Sequence, residues 1–462
     1  MKYTTLVNKQ NKFKESFLNK INLVKTTDVD NKEVFLEEET YKAYIELKEY
    51  LKDKNIDIGI TSAYRTIDYQ KSLYDKFPEE NNQEYVDNYV ALPGYSEHHT
   101  ALAIDIGINI NGEYIDDITD KTNDIYEEIH KHLYKFGFIL RYPKNKENIT
   151  GYQHEPWHIR YVGKLPARIM YQEDLTLEEY LNNYSCVLYI NKPKDCTSFD
   201  VVNIISKLFG IKRVGHTGTL DPMATGVLIV TVGKATKIVE LLTAKDKEYI
   251  AGVELGIKTD TYDNTGKVLE KKEVPNNLSI EETLNSFKKT YLQEVPIYSA
   301  VKVDGKKLYD YARNNKEVTL PKKEVTIKEI ELLEKNNNTF TIKTLVTKGC
   351  YIRSLINDIG NELNTGAIMT SLIRTKQGNI SIEETNTLEE IKNNKYKLHT
   401  IEEVLDYPTI EVDNELEFKI KNGVVLDNNW NIKDKVLFKN NNKLLGIYEV
   451  YNNKLKVWKN FT

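Results

Sequence analysis

Apolar side chains recur with a helical period in one segment near the N-terminus. Over residues 38–54 they fall at three- to four-residue spacing, at Tyr41, Tyr44, Ile45, Leu47 and Leu51. This spacing is typical of an amphipathic helix that buries one face. The apolar run at residues 56–61 predicts a strand, followed by a second helix carrying Gln70. Residues 165–185 are expected to form a single helix that closes the first domain.

The second half of the chain has strand-like patterns. Residues 227–232 are uniformly apolar, which predicts a buried strand, and residues 247–268 alternate polar and apolar side chains as strands of a mixed sheet do. From residue 410 onward, short apolar runs are separated by asparagine-rich turns. That pattern predicts a small antiparallel barrel or sheet.

Length and charge indicate at least two domains with different partners. The chain has 462 residues and a net charge of -5. Residues 1–185 carry 23 basic and 32 acidic side chains, a charge of -9, and the remaining 41 basic and 37 acidic side chains give +4. The basic half is the better candidate for binding a polyanion.

The three cysteines and the lack of long apolar runs favour an intracellular protein. Cys186, Cys196 and Cys350 have no CxxC spacing and suggest no disulfide framework. No apolar run approaches the length of about 20 residues that spans a membrane, and the first residues lack the apolar core of a signal peptide. We expect a cytoplasmic protein that does not enter a membrane.

Histidines and carboxylates cluster in two segments of the N-terminal third. GYSEHHTALAIDIG contains His98 and Asp105, and GYQHEPWHIRYVG contains Glu155 and His158. Two imidazoles, a carboxylate and a spare glutamate are the parts of a catalytic zinc site. The spacing is equally that of ordinary polar residues near a surface, because His-x(6)-Asp is a loose pattern.

These segments, together with SAYRT and the following YQ, resemble VanY-type D-alanyl-D-alanine carboxypeptidases over residues 3–183. The resemblance implies that His98, Asp105 and His158 bind zinc and that Glu155 is the catalytic base. It further implies that Arg65, Gln70 and Ser96 bind the substrate, with Arg65 binding its terminal carboxylate. His99 and His154 are not ligands in this interpretation. The family usually has glycine where this chain has Ala101. A cytoplasmic member would act on peptides or dipeptides ending in D-Ala-D-Ala.

A glycine-rich loop, GHTGTLDPMATG at residues 215–226, presents one carboxylate, Asp221. Its glycines allow close approach of the backbone to a ligand, and Pro222 stiffens the turn after the acid. Taken alone, the loop could equally be a surface turn, since Asp-Pro is common in turns.

The loop resembles the catalytic loop of TruB-type tRNA pseudouridine synthases, and three further blocks within residues 293–378 continue the resemblance, which covers about 187–462. It implies that Asp221 is the catalytic carboxylate and that the substrate, a tRNA T-arm stem-loop, presents uridine 55. The implied substrate-binding residues are His216, Tyr249, Tyr351, Arg353 and Leu372. Since Tyr351 and Arg353 are two residues apart, an extended strand would place both on one side. The resemblance implies no cofactor for this half.

The sequence therefore predicts an α+β multidomain protein. We expect a small zinc peptidase domain at 1–184, a mixed-sheet pseudouridine synthase domain at 187–405, and a small β-rich PUA-like RNA-binding domain at 406–462. A monomer is expected. Two alternatives stay open: the first domain could be a binding module without catalysis, or the synthase half could only bind and refold tRNA. The intact Asp221 argues against the second.

Overall fold

The computed structural model describes residues 2–80, 88–314, 316–441 and 443–461. The chain forms two compact units, which are Met1–Tyr184 with Ile204–Val214, and Ser185–Asn203 with Gly215–Thr462. Across the described residues, no helix has both the length and the apolar character that crossing a membrane requires.

The first unit combines short helices with antiparallel strands. Its helices are Glu15–Lys20, Glu38–Lys52, Ile67–Glu80, Glu97–Thr100, Asn123–His130, Leu133–Phe136, Glu147–Thr150, Lys164–Gln172 and Leu177–Asn183. Its strands are Leu23–Thr27, Glu33–Glu37, Ile58–Ser62, Ala103–Ile110, Glu113–Ile115, Phe138–Leu140 and His158–Tyr161.

The main sheet of this unit has the strand order Ile58–Ser62, Ala103–Ile110, His158–Tyr161, Phe138–Leu140. All of these pairings are antiparallel. The helix predicted from the apolar spacing occupies Glu38–Lys52, where it buries Leu47 and Leu51 completely in the core of the unit. Burying these side chains favours folding by about 1.5–3 kcal/mol each.

The second unit contains more strands than helices. Helix Ser198–Phe209 is shared, with residues 198–203 in this unit and residues 204–209 in the first. The other helices of this unit are Lys234–Ile238, Val239–Thr243, Ile280–Ser286, Leu308–Arg313, Ile352–Glu362, Ile382–Glu384, Leu388–Lys392, Ile401–Leu405 and Asn414–Lys421. Its strands are Ser185–Lys192, Val214–His216, Thr225–Gly233, Lys247–Leu255, Ile257–Thr259, Val268–Lys271, Thr290–Glu294, Lys302–Val303, Lys306–Lys307, Lys322–Asn336, Thr339–Val346, Ala367–Gln377, Ile380–Ser381, Thr409–Glu411, Leu426–Asp427, Lys435–Asn440, Lys443–Tyr451 and Lys454–Asn460.

A large mixed sheet organises this unit, as the sequence predicts. Its central strands follow the order Thr339–Val346, Lys247–Leu255, Ala367–Gln377, Thr225–Gly233 and Ser185–Lys192. Thr225–Gly233 runs parallel to Ala367–Gln377, whereas the other pairs among these strands are antiparallel. The loop that carries Asp221 leads directly into strand Thr225–Gly233.

The C-terminal residues form a separate sheet with its own core. Its order is Thr409–Glu411, Lys435–Asn440, Lys443–Tyr451, Lys454–Asn460, Leu426–Asp427. The first pairing is parallel, so the sheet is not wholly antiparallel as the sequence pattern suggested. The expected β-rich character is confirmed.

Two local predictions were wrong. The single helix expected at residues 165–185 is two helices, Lys164–Gln172 and Leu177–Asn183, separated by a turn at Asp174 with φ of 48°. Tyr351 and Arg353 do not share a strand either. Tyr351 is the extended residue that precedes helix Ile352–Glu362, and Arg353 lies in the first turn of that helix.

Candidate functional sites

Three side chains converge in the first unit. Asp105 on strand Ala103–Ile110 lies opposite His158 on strand His158–Tyr161 in antiparallel register. Asp105 Oδ1 is 3.0 Å from His158 Nδ1, and Asp105 Oδ2 is 3.1 Å from His98 Nε2. One candidate ligand atom from each residue lies within 4.8 Å of the others, and all three residues are buried.

The surroundings of this cluster fit a zinc ion. His98 Nδ1 is 2.6 Å from the carbonyl oxygen of Ala63, so it donates its proton there and the Nε2 lone pair faces the cluster. Asp105 Oδ1 is buried and has no hydrogen-bond partner among the described residues. Two imidazole nitrogens and a carboxylate form a donor set found in catalytic zinc sites. His98, Asp105 and His158 would hold the ion.

Glu155 lies beside this cluster. Its Oε2 atom is 3.7 Å from His158 Nδ1, and its carbonyl oxygen accepts a hydrogen bond from the His158 amide. Burial raises the pKa of the Glu155 carboxyl group to about 8, although His158 acts in the opposite direction. The Glu155 side chain lies within reach of a group bound at the cluster, where a carboxylate can accept and return a proton.

The three residues predicted to bind the peptide line the same cleft as the cluster. Arg65 Nη2 donates to Asp105 Oδ2 at 2.9 Å, and its Nε donates to Ser62 Oγ at 2.9 Å. Gln70 is buried and donates to the carbonyl oxygen of Ala91, while Ser96 Oγ accepts a bond from an amide of the turn that carries His98. The guanidinium group is therefore oriented before any substrate binds.

His99 and His154 lie outside the ligand cluster. His99 Nε2 accepts a bond from the Gly94 amide and its Nδ1 is 2.7 Å from the carbonyl oxygen of Arg65, so both nitrogens are used. His154 Nδ1 is 2.9 Å from the carbonyl oxygen of Tyr142. These histidines position backbone segments around the cleft.

Ala101 ends the short turn that carries His98. It is fully buried and has a φ of 57° and a ψ of 19°, in the left-handed region that favours glycine. The methyl group is accommodated, and the strain lies in the backbone.

Sequence reasoning missed the buried charges behind this site. Glu97 is wholly buried, and its Oε1 accepts hydrogen bonds from Arg141 at 2.8 Å and Arg160 at 2.5 Å. Glu97 was visible as a charged residue beside His98, but the arginines lie 44 and 63 residues away. No periodic pattern reports such pairs.

The second unit holds a bidentate ion pair at the loop that the sequence singled out. Arg353 Nη2 donates to Asp221 Oδ1 at 2.9 Å, and Arg353 Nε is 2.9 Å from Asp221 Oδ2. The same guanidinium group donates to the carbonyl oxygens of Tyr298 and Thr261. The side chain of Asp221 stays 30% exposed while that of Arg353 is 6% exposed. The carboxylate is thus fixed but reachable from solvent.

Buried polar side chains hold the loop of Asp221 in place, and no motif in the sequence indicated them. Lys192 Nζ donates to the carbonyl oxygen of Pro222 at 3.2 Å, and the Leu220 amide donates to Ser198 Oγ at 2.9 Å. Arg374 donates to the carbonyl oxygens of Val227 and Gly218 at 2.6 and 3.1 Å. These bonds tie backbone groups on both sides of Asp221 to buried side chains.

The other predicted residues of this site surround the same region. Tyr249 is paired in register with Arg374, and burial raises the pKa of its hydroxyl group. Leu372 is buried two residues before Arg374 on the same strand, where it lies opposite Ala251. Burial also lowers the pKa of the His216 imidazole, and Arg374 contributes to this shift.

Tyr351 is held through its backbone by a residue that sequence reasoning did not identify. The Tyr351 amide donates to Gln293 Oε1 at 2.7 Å, and Gln293 Nε2 donates to the Tyr291 hydroxyl group at 2.8 Å. That hydroxyl group donates to Asp358 at 3.1 Å. Burial raises the pKa of the Tyr351 hydroxyl group, while Arg353 lowers it.

Comparison with protein families confirms both resemblances. The model of the TruB family pseudouridylate synthase N-terminal domain matches residues 206–352, and that of the tRNA pseudouridylate synthase B C-terminal domain matches residues 353–414. The D-alanyl-D-alanine carboxypeptidase model matches residues 33–164. The expected α+β class is confirmed as well.

Curated relatives define the family more narrowly. The tRNA pseudouridine synthase B of Caldanaerobacter subterraneus subsp. tengcongensis is 41% identical over 266 residues, covering 56% of this chain and 93% of the relative. That of Fusobacterium nucleatum subsp. nucleatum is 44% identical over 279 residues, covering 58% and 96%. The solved structure of VanYB in complex with D-alanine-D-alanine is 28% identical, covers 38% of this chain and 96% of its own, and has a TM-score of 0.33. The chain is thus a pseudouridine synthase by class. It belongs to the tRNA pseudouridine synthase B family, and its residues 33–164 match the D-alanyl-D-alanine carboxypeptidase family.

Proposed function

We propose that the second unit converts uridine 55 in the T-arm of tRNA to pseudouridine. The observation that carries this proposal is the bidentate Asp221–Arg353 pair on a loop fixed by buried polar contacts. The identity to synthases named for tRNA supports the substrate. The net charge of +4 on residues 186–462 is compatible with an RNA ligand.

The chemistry needs an ionised carboxylate beside a flipped nucleotide. The bond between base and ribose breaks, the base turns, and a new bond forms through carbon 5. Asp221 is the nucleophile or the proton acceptor, and Arg353 orients it. Tyr249 and Leu372 give the flipped base an aromatic face and an apolar wall. Tyr351 serves the proton at carbon 5, and His216 fills the space that the base leaves.

Mapping the product on a T-arm transcript tests this proposal. The full chain should form pseudouridine at position 55 and nowhere else in the arm, and a transcript with cytidine at that position should stay unmodified. Pseudouridine at another uridine, or none with a folded transcript in excess, would contradict it. Binding should weaken with rising salt, because phosphate contacts supply most of the affinity.

We further propose that the first unit is a zinc D,D-carboxypeptidase or dipeptidase acting on peptides that end in D-Ala-D-Ala. The convergence of His98, Asp105 and His158 in one cleft with Glu155 carries this proposal. When bound there, zinc would acidify a water molecule and polarise the scissile carbonyl group. Glu155 accepts and returns the proton, and Arg65 binds the terminal carboxylate of the peptide.

Metal analysis of the full chain separates the peptidase from the alternative of a binding module. The protein should bind one zinc ion, His158→Ala should lose it, and the zinc-loaded wild-type chain should release D-Ala from a D-Ala-D-Ala peptide. Zinc without hydrolysis would favour the binding module. No zinc after reconstitution with excess metal would overturn both the metal site and the peptidase.

The remaining expectations belong to this proposal. We expect the protein to act as a monomer in the cytoplasm, where both substrates would be within its reach. Sedimentation in the presence and absence of tRNA tests the monomer. The idea that the second unit only refolds tRNA is disfavoured by the fixed Asp221–Arg353 pair, which RNA binding alone does not require.

A further inference from the structure

Glu97 has one carboxylate oxygen in use and one that is not. Its Oε1 atom accepts hydrogen bonds from Arg141 Nε and Arg160 Nη1. Its Oε2 atom is 3.7 Å from His158 Nε2. Neither Oε2 nor His158 Nε2 has a hydrogen-bond partner among the described residues, and both are buried. Two unpaired polar atoms therefore face each other inside the protein.

The orientation of the His158 ring indicates which of its nitrogens could bind a metal ion and which could donate to Glu97. Its Nδ1 atom faces Asp105 at 3.0 Å, so Nδ1 is the nitrogen available to a metal ion. A neutral imidazole that binds metal through Nδ1 carries its proton on Nε2 and donates it to a neighbouring acceptor. Glu97 Oε2 is an acceptor in that place, and a shift of about half an ångström brings the two atoms within hydrogen-bond distance.

We propose that Glu97 is a positioning residue for the candidate zinc site, holding His158 with Nδ1 toward the ion. This inference rests on the proposed function of the first unit. Glu97 precedes the ligand His98 directly, so one buried carboxylate fixes the ring of one ligand and lies on the turn of another.

The support of Glu97 extends beyond the part of the chain that matches the peptidase family. Arg141 also donates to both carboxylate oxygens of Glu178 at 2.9 and 2.6 Å, and Asn8 Nδ2 donates to Glu178 Oε1. Arg160 donates to the carbonyl oxygens of Tyr3 and Thr5, as well as to Glu97.

The family match covers residues 33–164. Residues 3–8 and helix Leu177–Asn183 lie outside it. The first segment supplies backbone carbonyl partners of Arg160, and the helix supplies Glu178, a partner of Arg141. The frame of the proposed metal site thus includes segments on both sides of the matched domain. Removing either segment would leave a buried guanidinium group without part of its partners, which is strongly destabilising.

The test uses Glu97→Asp in the full chain. Aspartate keeps the charge that balances the two arginines but withdraws the carboxylate by one methylene group from His158. We expect zinc affinity, measured by competition with a chelator, to fall about 10- to 100-fold, as for other residues that orient a metal ligand. Glu46→Asp is the matched control, because it makes the same shortening at an exposed glutamate of the same unit, and its zinc affinity should stay at the wild-type value.

A second measurement needs no variant that risks unfolding. In zinc-loaded wild-type protein labelled with ¹⁵N-histidine, the ring of His158 should carry its proton on Nε2 and bind through Nδ1, and a His158→Gln sample assigns the signal. Wild-type protein that binds zinc, with His158 protonated on Nδ1 or with unchanged affinity in folded Glu97→Asp, would overturn the role of Glu97 alone. Wild-type protein that binds no zinc would overturn the proposed peptidase instead.

Discussion

Replacing Arg353 with lysine tests how the synthase site holds its carboxylate. Arg353 donates two charge-assisted hydrogen bonds to Asp221, both at 2.9 Å, and two more to backbone carbonyl oxygens. Lysine keeps the positive charge but is a point donor that cannot reproduce the fork. It would retain at most one bond to the carboxylate and leave that group free to rotate.

The magnitude follows from the lost bond. A hydrogen bond to a charged group contributes about 1.5–3 kcal/mol. If that stabilisation is present in the transition state, the rate falls about 10- to 150-fold, at about 1.36 kcal/mol for each factor of ten. Because Arg353 is only 6% exposed, we expect little effect on tRNA affinity. The substitution should therefore lower the maximal rate and leave the apparent Kd nearly unchanged.

Single-turnover kinetics separate the two effects. With enzyme in excess over a T-arm transcript tritiated at carbon 5 of uridine, tritium release gives the maximal rate and the apparent Kd. The control is Arg313→Lys, an exposed arginine that packs over Tyr309, whose rate should stay within roughly twofold. An unchanged maximal rate in Arg353→Lys, with or without a rise in the apparent Kd, would refute the assigned role.

Three further predictions concern stability and positioning. Burial raises the pKa of Asp358 from 3.8 to about 6, so ionisation of this group costs the folded state stability as the pH rises between these two values, and the cost is complete above the higher one. In urea unfolding curves, Asp358→Asn should therefore stabilise the protein by about 1 kcal/mol at pH 8 and by nothing near pH 4. Ala101→Gly should raise the stability of the unit carrying His98 by about 0.5 kcal/mol, since relief of the left-handed backbone exceeds the added entropy of the unfolded chain; a lower melting temperature would contradict this. Gln293→Leu should leave the Tyr351 amide unpaired and lower the synthase rate about tenfold at unchanged tRNA affinity, and an unchanged rate would show that this bond does not position the residue.

Sequence motifs identified the candidate site residues but not the side chains that hold those residues in position. Asp221 and Arg353 are 132 residues apart, and Asp105 and His158 are 53 apart, yet each pair meets in the structure. The family resemblance predicted that the two members of each pair belong to one site. Hydrophobic periodicity did not, since it reports which face of an element is buried and not which elements pair.

Local geometry at the ends of elements was harder to predict. Tyr351 and Arg353 were expected to share an extended strand because they are two residues apart, but the chain turns at Gly349, with φ of 90°, and helix Ile352–Glu362 begins shortly afterwards. The turn chemistry decides where the strand ends, and one glycine in a sequence does not fix its own φ.

The buried charged side chains that support the two sites could not be predicted from the sequence. Lys192, Arg374 and Glu97 are each almost entirely buried, and a charged residue in isolation predicts an exposed position. Their burial depends on partners from distant segments, such as the carbonyl oxygen of Gly218 for Arg374. Only the assembled fold shows which partners these charges have and which parts of the two candidate sites they contact.

Measuring both reactions on the same full-length variants tests the central claim, that one chain carries two separate active sites. Zinc-loaded wild-type protein should form pseudouridine in a T-arm transcript and release D-Ala from a D-Ala-D-Ala peptide. Asp221→Asn should lose the first reaction and keep the second, and Glu155→Gln should lose the second while keeping the first and its zinc. Loss of both reactions in either folded variant, or survival of both in either, would contradict two independent sites assigned to these residues.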